Sequence, residues 1–114
     1  MFRRSRVARL ERKLKRALER LEARERELQA LRGKLERTYA KLPPLFRLLE
    51  LARPLDRELY ERLYPMVKEA HSEAMELANR IDELQSVIEG EKESLQRLLA
   101  LVQVLKERSR GRGW

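Results

Sequence analysis

From Val7 the apolar positions recur every seven residues, at Val7, Leu14, Leu21, Leu28, Leu35 and Leu42, and Leu10, Ala17 and Leu31 fall three residues after members of that set. Alternating steps of three and four keep one face of an α-helix apolar, which is the heptad pattern of a coiled coil. Residues 1–42 contain no proline and one glycine, Gly33, among strong helix formers, so a first long helix is predicted there. Pro43-Pro44 is expected to end it, because proline cannot donate the helical hydrogen bond and pushes its predecessor out of the α region. A second stripe runs through Val67, Ala70, Ala74, Leu77, Ile81, Leu84, Ile88, Leu95, Leu98, Val102 and Leu105, with a gap at Glu91. Pro65 stands where a first-turn proline belongs, so a second long helix is expected over 65–108, followed by a flexible basic tail over 109–114.

Between the stripes, Leu45 to Tyr64 is rich in leucine and aromatic residues and is divided by Pro54. The expectation for 43–64 is one or two short helices capping the turn end. The fold class is therefore all-α: a single domain over 1–114 built as a long antiparallel coiled-coil helical hairpin. Charge supports the pairing. Residues 1–42 hold 15 basic and 6 acidic residues, whereas residues 67–93 hold three basic residues against eight acids. Opposite fields beside the two seams select partner and orientation, while apolar burial supplies stability. The register stays open. Placing Leu42 near Met66 sets Arg24 beside Leu84, and a slip of seven residues brings the two charged seam residues Arg24 and Glu91 together.

Toward the C-terminus Leu98, Leu99, Leu101, Val102, Val104 and Leu105 cover most of the helix circumference, more than one partner helix can bury. A homodimer is expected, two hairpins meeting as a four-helix bundle at the end that holds both termini, through Leu99, Leu101 and Val104. The turn-end residues Phe46, Leu49, Tyr60 and Tyr64 form the other candidate protein-binding surface, suited to docking on a larger assembly.

The 114-residue chain is 40% charged and 5% aromatic and has no Cys. That usage suits long helices rather than a globule with a deep pocket, so no small-molecule substrate is expected; a disulfide framework and a thiolate metal site are excluded. The absence of Cys fits a reducing compartment, and the charged N-terminus lacks the apolar stretch of a signal peptide, so a cytoplasmic protein is expected. The longest run without a charged residue, 98–105, is eight residues, against the ~20 of a membrane span. Arg outnumbers Lys by 20 to 7, a composition that hints at a thermophile. The lone His71 sits between Glu69 and Glu73 without a Glu three residues before it, so neither a metal site nor any cofactor is expected. No nucleophile-base pair or phosphate loop is recognisable, and the chain reads as non-enzymatic.

The basic balance carries the functional signal. Residues 1–16 have a net charge of +7 and residues 106–114 a net of +3, and a hairpin brings them to one end. Arg3, Arg4, Arg6, Arg9, Arg12, Lys13, Arg16, Arg108, Arg110 and Arg112 are the candidate nucleic-acid-binding residues, through non-specific contacts to the phosphates of DNA or RNA. Trp114 adds a ring on which a base could stack. The basic segment followed by Leu14, Leu21, Leu28, Leu35 and Leu42 resembles the basic-leucine-zipper proteins over its first 42 residues. That family reads base edges with an Asn in its basic helix, and residues 1–16 contain none, so sequence-specific reading is not expected. The expected function is that of an adaptor, scaffold or regulator whose basic pole contacts nucleic acid. The competing expectation is a purely protein-binding coiled coil.

Overall fold

The computed structural model describes the backbone of residues 2–111 and the side chains of residues 6–108 and 110. Within it the chain is all-helical. Helix α1 spans Phe2–Leu55, helix α2 spans Arg57–Gly111, and the single non-helical residue between them is Asp56. Asp56 joins the helices without a loop. Its amide donates to the Ala52 carbonyl, its own carbonyl accepts from the Tyr60 amide, and its carboxylate accepts from the Leu59 amide at 3.2 Å, the bond expected of an acidic N-cap.

This corrects the boundaries expected from sequence. Pro43-Pro44 does not end the first helix, the capping helices of 43–64 do not exist as separate elements, and Pro65 lies inside α2 instead of in its first turn. At the other end α2 stays helical through Ser109 and Arg110 to Gly111, past the expected start of the tail. The reason lies in the seam. Carried on in steps of three and four, the first stripe continues from Leu42 through Leu45, Leu49 and Ala52, and Leu42 and Ala52 are buried. Past the proline pair the seam gains half-buried Leu45 and Leu49 and buried Ala52, whose removal from water favours continuing the helix over stopping at Pro43. The prolines also point outward. The carbonyls that Pro43, Pro44, Pro54 and Pro65 leave without an amide donor belong to Tyr39, Ala40, Glu50 and Glu61, all exposed residues, where water can satisfy them.

The chain divides into two compact units, each made from a stretch of both helices. Unit 1 comprises Met1–Glu27 and Leu84–Trp114; unit 2 comprises Leu28–Glu83. In unit 2 the interior is formed by Leu28, Leu31, Thr38, Leu42 and Ala52 from α1 with Val67, Ala74, Leu77 and Ile81 from α2. Thr38 is a polar residue in that seam, and its hydroxyl donates to the Lys34 carbonyl at 2.9 Å, so its burial leaves no unsatisfied donor. In unit 1, Leu21, Leu84, Ile88 and Val102 are buried, while Leu10, Leu14, Leu95 and Leu98 are half-buried.

Three ion pairs set the register of unit 1. Glu11 pairs with Lys106 at 2.7 Å, Arg24 with Glu91 at 2.5 Å and Glu25 with Lys92 at 3.7 Å. Residue numbers rise on one helix as they fall on the other, so the helices run antiparallel here. Of the two registers left open by the sequence, the one that joins Arg24 to Glu91 is adopted, and Leu84 is not the neighbour of Arg24. Gly33 and Gly90 mark no break: both are helical with negative φ.

Candidate functional site: a one-sided basic stripe

Labelling the seam positions of each helix a and d sorts the remaining side chains by face. Glu11, Leu18 and Glu25 take the e position of α1; Lys92, Leu99 and Lys106 take the e position of α2. Two of these levels are the ion pairs just described, and by the same offset Leu18 stands level with Leu99. The e flank of unit 1 is thus charge-matched.

The opposite flank is not. Arg6, Arg9, Lys13, Arg16 and Arg20 occupy successive c and g positions of α1, in steps of three and four that mirror the seam. The fourteen steps from Arg6 to Arg20, at about 1.5 Å rise each, make this stripe about 21 Å long. All five side chains are exposed, and among the described residues none of them forms an ion pair. On the same flank α2 supplies Ser94, Arg97, Leu101, Val104 and Arg108 and no acid. The acids of unit 1 stand at e, f and b positions, apart from Glu27 at the inner end of the flank and Glu91 in the seam.

Between the stripe and α2 lies an open groove of about 960 Å³, lined by Lys13, Arg16, Ala17, Glu19, Arg20 and Ala23 of α1 and by Glu91, Ser94, Leu95 and Leu98 of α2. Small side chains open it, since Ala17 takes a seam position where its heptad neighbours are mostly leucine. Glu91 is held by Arg24 through Oε1, while its Oε2 is buried without a hydrogen-bond partner.

The sequence-predicted residues fall into separate groups. Arg6, Arg9, Lys13 and Arg16 are brought together on the stripe, with Arg108 on the same flank of α2. Arg12 lies off it, at an f position, where its guanidinium donates to the Ala8 carbonyl of its own helix at 3.4 Å. Arg110 lies at a b position of α2, also off the flank. Arg3, Arg4 and Arg112, like the ring of Trp114, lie outside the described side chains. Arg20 and Arg97 belong to the flank and were missed, although their spacing was visible in the sequence. Counting charge by segment, rather than by helix face, hid them.

Of the expected protein-binding residues, Phe46, Tyr64, Leu99, Leu101 and Val104 are exposed. Leu49 and Tyr60 are half-buried at seam positions of unit 2. The Tyr60 and Tyr64 rings lie 6.0 Å apart and tilted by 35°. Unpredicted apolar exposure occurs at Leu48, Leu51, Leu55, Leu59 and Met66. Among the described residues no group of three or more His, Cys, Asp or Glu side chains is placed to hold a metal ion, and no helix is long and apolar enough to cross a membrane.

Compared with known proteins, the chain matches no family model, no curated protein and no solved structure.

Proposed function

We propose that this chain is a non-enzymatic coiled-coil adaptor that holds the backbone of a nucleic acid, DNA or RNA, along the basic flank of unit 1 without reading its sequence. The observation that carries this reading is the stripe Arg6, Arg9, Lys13, Arg16 and Arg20, which forms no ion pair among the described residues; the one acid across the groove, Glu91, is held by Arg24. A row of cations about 21 Å long spans roughly six phosphates at the ~3.4 Å rise of one duplex strand. Four of the five are arginines, whose planar guanidinium can hold two phosphate oxygens at once. Neither helix offers an Asn or Gln on the stripe to recognise adenine, in keeping with contacts to the backbone alone.

The test is a titration of random duplex and single-stranded oligonucleotides at several salt concentrations. Five phosphate contacts predict that log K falls against log salt with a slope of about −4 to −5, and each stripe residue changed to Ala reduces that slope by about 1. Arg12→Ala and Arg110→Ala, off the flank, leave it nearly unchanged. No binding at low salt, or equal effects of on-flank and off-flank substitutions, would sink the proposal.

A second reading, docking on a protein without nucleic-acid contact, is favoured by one observation of its own: the exposed apolar side chains of unit 2. The same titration separates the two, since a pure protein ligand gives no oligonucleotide shift.

A further inference from the structure

Beyond Leu42 the c and g positions of α1 change character. The cations of the flank give way to Pro44, Leu48, Leu51 and Leu55, at i, i+4, i+7 and i+11, an apolar stripe about 16 Å long on one face of the helix. Leu48, Leu51 and Leu55 are 50%, 56% and 82% exposed. Isolated surface leucines are ordinary, but an aligned row of this length is the kind of face that buries itself against another helix.

The row is also shaped in relief. At one end a cleft of about 420 Å³ is lined by Pro43, Pro44, Arg47, Leu48 and Leu51, and at the other end Leu55 projects as a knob. Knob and hole on the same stripe are complementary to each other only in a second copy turned end for end. If two α1 helices cross antiparallel with their Leu51 residues at a two-fold axis, Leu55 of each comes level with Arg47 of the other, one residue from Leu48, at the mouth of the cleft. The contact is then made twice, as an isologous interface requires. Charge permits the approach: unit 2 holds ten basic and ten acidic residues, whereas unit 1 holds 17 against 9 and repels its own copy.

We infer that the stripe Pro44–Leu48–Leu51–Leu55 is the contact face of a homodimer whose second chain is another copy of this protein, placing self-association in unit 2 instead of at Leu99, Leu101 and Val104. The inference is independent of nucleic-acid binding and is tested without it. Sedimentation equilibrium on the full chain across the micromolar range gives a dimer that Leu55→Glu converts to monomer, while Leu101→Glu, on the basic flank, leaves it dimeric. Both positions are exposed, and an unchanged helical circular-dichroism signal checks that the variants fold. The chain has no natural Cys, so Leu51→Cys gives a clean second readout: two residues at a two-fold axis oxidise to a disulfide-linked dimer, and Leu101→Cys does not. A monomer throughout, a dimer indifferent to Leu55→Glu, or an uncrosslinked Leu51→Cys protein overturns the inference.

Discussion

Arg24 and Glu91 are the only charged residues at the seam positions of unit 1 between Val7 and Leu105, and they meet each other. Their side chains remain 40% and 30% exposed, so the pair lies between a surface bridge of negligible worth and a buried one whose desolvation rivals its attraction. Its clearest effect is on register. A slip of one heptad preserves every a and d position but sets Arg24 against Leu84 and Glu91 against Ala17, leaving two half-buried charges without partners. Replacing Arg24 alone by Leu is expected to cost about 2 kcal/mol, because Glu91 already has one oxygen without a partner and then loses the other. Glu91→Leu costs less, since a lone guanidinium can reach solvent along its flexible stem. The double Leu variant regains the loss through a continuous apolar layer, while the slipped register becomes accessible to it. Urea unfolding of the four proteins measures the coupling, and a double variant as unstable as Arg24→Leu would show that the pair does not act as a unit.

At the scale of the helices, the stripes from Val7 to Leu42 and from Val67 to Leu105 were readable because burial on one face imposes a spacing that no other local preference overrides. The middle of the chain was misread at Pro43-Pro44. A proline pair is a strong local stop signal, yet Leu45, Leu49 and Ala52 continue the seam on its far side, and the tertiary stripe outweighs the local preference. The candidate site was half legible for a different reason: its arginines and their spacing are plain in the sequence, but that α2 sets no row of acids along their c and g face is seen only once the partner helix and its register are known. The proline reading makes its own prediction. If the helix runs through Pro43 and Pro44, changing both to Ala restores two hydrogen bonds, to the Tyr39 and Ala40 carbonyls, without touching the seam. The double variant should then be more stable by about 1–3 kcal/mol, below the full helix-interior penalty because water already satisfies those carbonyls. Were the prolines a true helix stop, the same change would leave the urea midpoint unmoved or lower it.

Across the whole molecule, net charge is partitioned rather than spread: unit 1 carries +8, the full net charge of the chain, and unit 2 carries none. Much of that excess lies on a single helix face, where successive members of the stripe are three or four residues apart and repel. Four neighbouring like-charged pairs at about 0.2–0.5 kcal/mol each amount to ~1–2 kcal/mol of strain at low ionic strength. The two ion pairs on the e flank, Glu11 with Lys106 and Glu25 with Lys92, are exposed and worth little in the opposite direction. Adding salt should therefore stabilise the fold. As the screening length falls from ~30 Å to ~10 Å the repulsion is relieved, and for a chain of this size ~1 kcal/mol corresponds to about 4 °C or more in Tm. The same salt weakens phosphate binding, so stability and affinity move in opposite directions along one axis. A variant with all five stripe residues changed to Ala separates the effects: it melts higher than the parent at low salt and responds less to further salt. A random duplex added at low salt raises the Tm of the parent but not of the variant, because only the parent has a row of cations for phosphates to neutralise. A Tm that falls as salt is added would mean that attractive pairs outweigh the stripe, and the basic flank would then be part of a balanced surface instead of a field left open for a polyanion.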